Sequence, residues 1–232
     1  MEARTETVTV TDGSFDLHLW LPEGGSGPVV LLIQEIWGVG PYIRKVAEDL
    51  AALGYVVGAP DLFWRLQRNW VADHGEAGLT ASLKVASEFD IPHGVADSAM
   101  ALAHLRGLPE AEGGAAVVGF CLGGSIGYLL ATTVEVDALL SFYGSAVPDA
   151  AGLMEKIAPP ALFVFGGSDP YIPREQVAKV EEAAEGRPNI EVYVAEQAGH
   201  AFLNHEAPQF YDAGAAPVTW KRAVEFLGRH LG

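Results

Sequence analysis

The chain has a single cysteine, Cys121, so no disulfide can close within it. It is not a disulfide scaffold, and a reducing cytoplasm suits it. Cations are also scarce. Fourteen Lys and Arg stand against 30 Asp and Glu, a formal net charge of −16. Such a field repels phosphate backbones and anionic lipid, which argues against nucleic-acid and membrane-surface partners. No apolar run approaches the ~18 residues that span a bilayer. The N-terminus lacks the basic and then apolar pattern of a secretory signal. C-x-x-C and His-Glu-x-x-His are both missing, so no dedicated zinc site is expected. No Pro/Ser linker, charge run or internal repeat divides the 232 residues. At ~150 residues per domain, this predicts one domain over 1–232. With half the residues hydrophobic and 19% charged, wholesale disorder is excluded.

What is present is a regular alternation. Residues 5–10 and 14–21 alternate apolar and polar around Asp12-Gly13, a hairpin signal at a sheet edge. Val29 to Ile33 is a continuous apolar run, as in a strand covered on both faces. Residues 41–53 switch to helical spacing at Ile43, Val46, Ala47, Leu50 and Leu53, and Gly54 ends them. Short strands follow at 55–59, 115–119, 136–142, 161–165 and 190–194. Helices are predicted at 93–106, 123–131, 173–184 and 217–230, the last with Val218, Ala223, Phe226 and Leu227 on one face. Residues 61–92 read as irregular and aromatic-rich. The pattern predicts an α/β chain: a mostly parallel sheet with an N-terminal antiparallel hairpin and helices on both faces.

In such a sheet the chemistry sits beyond the carboxyl ends of the strands. The sharpest signal there is Val117-Val118-Gly119-Phe120-Cys121-Leu122-Gly123-Gly124, a strand, then G-x-C-x-G, then a helix. It matches the nucleophile elbow G-x-S-x-G in context. Small residues are needed two before and two after the nucleophile, because the strained turn leaves no room for side chains. At a helix N-terminus the dipole and free N–H groups favour thiolate over thiol. A buried, inert cysteine in a Gly-rich turn is the competing reading. The elbow order is nucleophile, acid, histidine. Here it is Cys121, then Asp169 after a strand, then His200 after the last strand. His200 would exchange the proton, and Asp169 would fix its tautomer. Asp169 could instead cap the helix that begins near Pro173. His205 is a rival base, but Gly199 before His200 leaves room for a mobile ring.

Glu35 interrupts an apolar strand end and could hold the thiol proton until substrate arrives. The N–H groups of Ile36 and Leu122 would form an oxyanion hole. Trp37, Trp64, Tyr143 and Phe202 are candidate walls of a small, partly apolar pocket, although aromatics at such positions also serve as core.

These segments resemble the dienelactone hydrolase family of the α/β-hydrolases over about residues 12–230. The resemblance lies in Gln34-Glu35-Ile36-Trp37-Gly38-Val39, Gly54-Tyr55-Val56-Val57, Ala59-Pro60-Asp61-Leu62-Phe63-Trp64-Arg65, the cysteine elbow, Gly166-Gly167-Ser168-Asp169 and Gly199-His200-Ala201-Phe202. It implies an α/β-hydrolase fold without a separate cap domain, a Cys–His–Asp triad and a Glu35 that restrains the thiol. It also implies that no cofactor is needed. The substrate it implies is a small lactone or ester, with an enol lactone bearing a carboxylate as prototype. The family grips that carboxylate with two arginines. Arg65 matches one; the other position is Asn204. Losing a charge-assisted contact costs an anionic substrate ~1.5–3 kcal/mol, or roughly 10- to 150-fold in affinity. Arg65 could equally be an internal ion-pair partner. A carboxylesterase acting on neutral esters and a noncatalytic, redox-sensing thiol protein therefore stay open beside the lactone hydrolase. A monomer or small homo-oligomer is expected.

Overall fold

In the computed structural model, which describes residues 4–231, the alternating N-terminal residues form β1 (Arg4–Val10) and β2 (Gly13–Trp20) in an antiparallel hairpin. Val10 pairs with Gly13, so the two turn residues are Thr11 and Asp12 rather than Asp12 and Gly13. Gly13 serves packing instead: a Cβ there would lie 2.7 Å from the Trp64 ring.

Clustering of the backbone divides the chain into two compact units, Met1–Ala115 and Ala116–Gly232. In the first unit the strand order is β1, β2, β4 (Val56–Pro60), β3 (Gly27–Ile33). The β2–β4 pair is antiparallel and β3–β4 parallel. Helix α1 (Pro41–Ala52) buries Tyr42, Ile43, Val46, Ala47 and Leu50, the predicted stripe. Gly54 follows its end with φ of 102°, a conformation that suits glycine at a helix stop. The segment expected to be irregular holds a helix, α2 (Glu76–Ser87). Its buried residues are Gly78 and Ser82, so it presents no apolar stripe for periodicity to detect. Helix α3 (Ile91–Arg106) starts where Asp90 accepts from the His93 N–H at 2.8 Å. Gly58 of β4 lets it come close, since a Cβ there would stand 2.5 Å from the Leu105 side chain.

Strand β5 (Ala111–Phe120) begins in the first unit and runs into the second, where β6 (Ala138–Phe142), β7 (Ala161–Gly166) and β8 (Ile190–Ala195) follow it in order, all parallel. Every residue of β6 and β7 is buried, as their largely apolar runs suit; the one polar side chain of β6, Ser141, donates to the Gly124 carbonyl. Helix α4 (Leu122–Ala131) follows β5, α5 (Arg174–Ala184) follows β7, and α6 (Ala215–Leu231) follows β8. A 3₁₀ turn, Ala151–Lys156, lies between β6 and β7. Helix α6 buries Ala216, Thr219, Ala223, Phe226, Leu227 and Leu231. Val218 points away, 57% exposed. It lies one residue, about 100° around the helix, from the buried Thr219. Burying Phe226 and Leu227 contributes roughly 1.5–3 kcal/mol each.

Candidate active site

The elbow forms as its spacing requires. Strand β5 ends at Phe120, and Cys121 stands in a strained conformation, φ 53° and ψ −112°, directly before α4. Its N–H donates to the Phe142 carbonyl at 2.9 Å, and its carbonyl accepts from Ser125 at 3.1 Å. A Cβ on Gly119 would stand 2.0 Å from the Gly123 carbonyl oxygen, and one on Gly124 2.7 Å from that of Phe142. The Ser141 hydroxyl donates to the Gly124 carbonyl at 2.9 Å, tying α4 to β6.

Two further loops of this unit complete the row that leads to the sulfur. The loop after β7 carries Asp169 and the loop after β8 carries His200. They are stitched together by Ser168 N–H to the Ala198 carbonyl, 3.0 Å, and by Gly166, where a Cβ would strike the Gly199 carbonyl. His200 Nδ1 lies 2.7 Å from Asp169 Oδ2, and Nε2 lies 3.1 Å from Cys121 Sγ. His205 pairs instead with Glu206, at 3.6 Å, and stands about half exposed. Of the two histidines, it is His200 that lies beside Cys121.

Asp169 does not cap α5, whose N-cap Pro173 has no side-chain hydrogen bond. Its second oxygen accepts from Tyr171 N–H at 2.8 Å and Ile172 N–H at 3.2 Å, which holds its own loop. Burial alone would press the His200 pKa down. The charge of Cys121 and the hydrogen bonds to Asp169 and Cys121 outweigh it and push the imidazole up to about 11.

The His200 ring is packed between two tyrosines. Tyr143 lies 5.1 Å from it and Tyr171 5.2 Å, centroid to centroid. Tyr143 is fully buried and packs on Phe202 at 5.9 Å. Cys121, Tyr143 (φ 39°) and Ala201 (φ 52°) are all left-handed, and all three adjoin the row. Such residues cost of order 1–3 kcal/mol each and gather at functional sites. Tyr171 had escaped the sequence reading; its position two residues after Asp169 was the available signal. Asn204 is buried, and its side-chain oxygen accepts from Glu206 N–H at 3.0 Å, fastening the loop that follows His200.

The remaining candidates lie in the first unit. Glu35 is buried, its carbonyl accepting from Gly38 N–H at 3.2 Å in a tight turn. Trp70 Nε1 donates to the Ile36 carbonyl at 3.2 Å, and Trp37 packs against His74 at 4.7 Å. Arg65 takes up the ion-pair alternative. The resemblance implies a contact to a substrate carboxylate, yet its donors are given to two carboxylates of the chain. Nε and Nη2 reach Asp12 at 2.8 and 2.9 Å; Nη1 and Nη2 reach the buried Asp97 at 2.5 and 3.2 Å. Trp64 completes the cluster. Its Nε1 donates to Asp97 at 2.8 Å, and its ring lies under the Arg65 guanidinium, 4.1 Å from centroid to Cζ. Trp64 therefore braces Arg65. Asp97 was not singled out from sequence, because an Asp among helical residues reads as a solvated face.

Comparison with known proteins agrees over the whole length. The model of the dienelactone hydrolase family matches residues 15–231. Carboxymethylenebutenolidase 1 of Cupriavidus pinatubonensis is 32% identical over 223 residues, covering 96% of this chain and 94% of that one. A carboxymethylenebutenolidase of a Pseudomonas species is also 32% identical, covering 94% and 91%. Among solved structures, a dienelactone hydrolase-like promiscuous phosphotriesterase from metagenomic libraries superposes with a TM-score of 0.83 at 26% identity, covering 99% of this chain and 98% of that one. The dienelactone hydrolase from Anabaena variabilis gives 0.73 at 20% identity, covering 100% and 99%. The fold is that of the α/β-hydrolases.

Proposed function

The chain belongs to the dienelactone hydrolase family and is a carboxylic ester hydrolase, and from that premise we propose that it hydrolyses small lactones or esters through a thioester on Cys121. The observation that carries this reading is the row Cys121–His200–Asp169, with contacts of 3.1 and 2.7 Å. The thiolate attacks the carbonyl carbon, a C–S bond forms, and the carbonyl electrons move to oxygen. The N–H of Leu122, at the start of α4, is one donor to that oxyanion; the resemblance supplies the N–H of Ile36 as the other. The C–O bond then breaks, and His200 gives its proton to the departing oxygen. For a lactone this opens the ring and leaves both halves on the sulfur. Water, losing its proton to His200, attacks the thioester. The acid departs, and the thiolate–imidazolium pair is restored. Glu35 enters by resemblance, as the carboxylate that restrains the thiol before substrate binds.

The substrate proposed is neutral at the positions where the family prototype carries its carboxylate. Arg65 is committed to Asp12 and Asp97, and Asn204 is uncharged. The test is the ratio of kcat/KM for a dienelactone to that for p-nitrophenyl acetate, with Cys121→Ala as blank. A ratio below one that depends on Cys121 supports the reading. A ratio well above one assigns a true dienelactone hydrolase, and turnover that survives Cys121→Ala removes the nucleophile. A phosphotriester is a second substrate class to include, given the activity described for the metagenomic structural relative.

A further inference from the structure

We propose that Tyr171 is a positioning residue for His200, its ring bracing the imidazolium while Tyr143 braces it from the interior; this rests on the Cys121–His200 reading above. His200 is held by one hydrogen bond at each ring nitrogen, to Asp169 at Nδ1 and to Cys121 at Nε2. Two such bonds leave the ring free to tilt about the line joining its two partners. Restraint against tilting must come from groups packed on the ring. Tyr143 and Tyr171 are those groups, at 5.1 and 5.2 Å, with interplanar angles of 57° and 75°.

The placement of Tyr171 is coupled to the row itself. Asp169 Oδ2 faces His200, while Oδ1 accepts from the Tyr171 N–H at 2.8 Å. One carboxylate thus orients the imidazole and carries the backbone of the tyrosine beside it. Core packing does not account for the ring, since Tyr171 is 58% exposed whereas the next residue, Ile172, is buried. An aromatic ring also suits a cation held against its face, where the quadrupole is negative. The titratable groups facing His200 within this unit are Cys121 before α4, Asp169 and Tyr171 from the loop after β7, and Tyr143 after β6.

The experiment compares Tyr171→Phe and Tyr171→Leu in the full chain. Three quantities are read: kcat and KM on p-nitrophenyl acetate, the His200 titration by imidazole NMR, and the melting curve. Phe keeps the ring and should match wild type in all three. Leu keeps bulk but not the ring. It should lower the His200 pKa by roughly half a pH unit, a three- to fivefold loss of imidazolium relative to imidazole. It should also lower kcat severalfold, through lost alignment of the ring rather than lost charge, with KM within twofold and melting unchanged. The proposal is overturned if Leu leaves kcat and the titration unchanged, if Phe is as impaired as Leu, or if only KM moves, which would make Tyr171 a substrate wall. Hydrolysis that persists in Cys121→Ala would defeat the nucleophile reading instead. The His200 titration in the Tyr171 variants would still report on the ring contact.

Discussion

Asp169 divides its two oxygens between His200 and the backbone of its own loop, so a helix-cap reading and a catalytic one were rivals only while the chain was a line of letters. His200 likewise separates from His205 by what it touches. His200→Ala should lower turnover by about 10²–10⁴-fold, while His205→Ala should stay near wild type; the reverse order would move the base. The raised pKa of His200 depends on sulfur, since burial by itself works against a charged imidazole. In an NMR titration the ring of Cys121→Ala should therefore titrate well below that of the wild type. Equal values in the two proteins would mean that the sulfur carries no charge.

Among the elements, the elbow and the Arg65 bridge make opposite demands. The elbow needs absence of side chain. Gly119→Ala would drive a Cβ to 2.0 Å from a backbone oxygen, and overpacking of this kind costs about 1–3 kcal/mol; hydrolysis should fall with the melting temperature. Gly199 has open space at its Cβ position and no left-handed φ. Gly199→Ala should therefore melt like wild type, although it directly precedes His200. The bridge needs charge. Asp97 is buried and receives Arg65 and Trp64, so Asp97→Ala leaves the indole N–H and one edge of the guanidinium without an acceptor and should destabilise by ~1–3 kcal/mol in denaturant titration. Asp12 is half exposed, and Asp12→Ala should change little. Comparable losses from the two would mean that burial does not set the value of the bridge.

At the scale of the whole molecule, stability should carry a pH signature from Asp61. Burial holds its carboxyl up at about 6, against an ordinary 3.8. Between those values the folded chain keeps a proton that the unfolded chain has already released. This residue's contribution to stability therefore falls as pH rises through that window and is lowest above it. Unfolding free energy measured from pH 4 to 7 should decline more steeply in wild type than in Asp61→Asn. Parallel curves would place the titration elsewhere. Among the described residues, no helix is long and apolar enough to cross a membrane.

The sequence by itself determined whatever rests on local pattern. Apolar runs marked β6 and β7, a 3.6-residue stripe marked α1, and glycines two before and two after Cys121 marked the elbow, since steric exclusion over a few residues is written in consecutive letters. Chain order then picked out Asp169 and His200. Pattern failed where an element buries no apolar stripe, as in α2, or where neighbours on a helix are 100° apart, as with Val218 and Thr219. The tertiary structure alone decided which charges meet. Arg65 and Asp97 are 32 residues apart, and His200 and Cys121 are 79 apart. A charged side chain is as legible in solvent as in a bridge. Its partner is chosen by the folded backbone, which brings distant donors and acceptors within 3 Å.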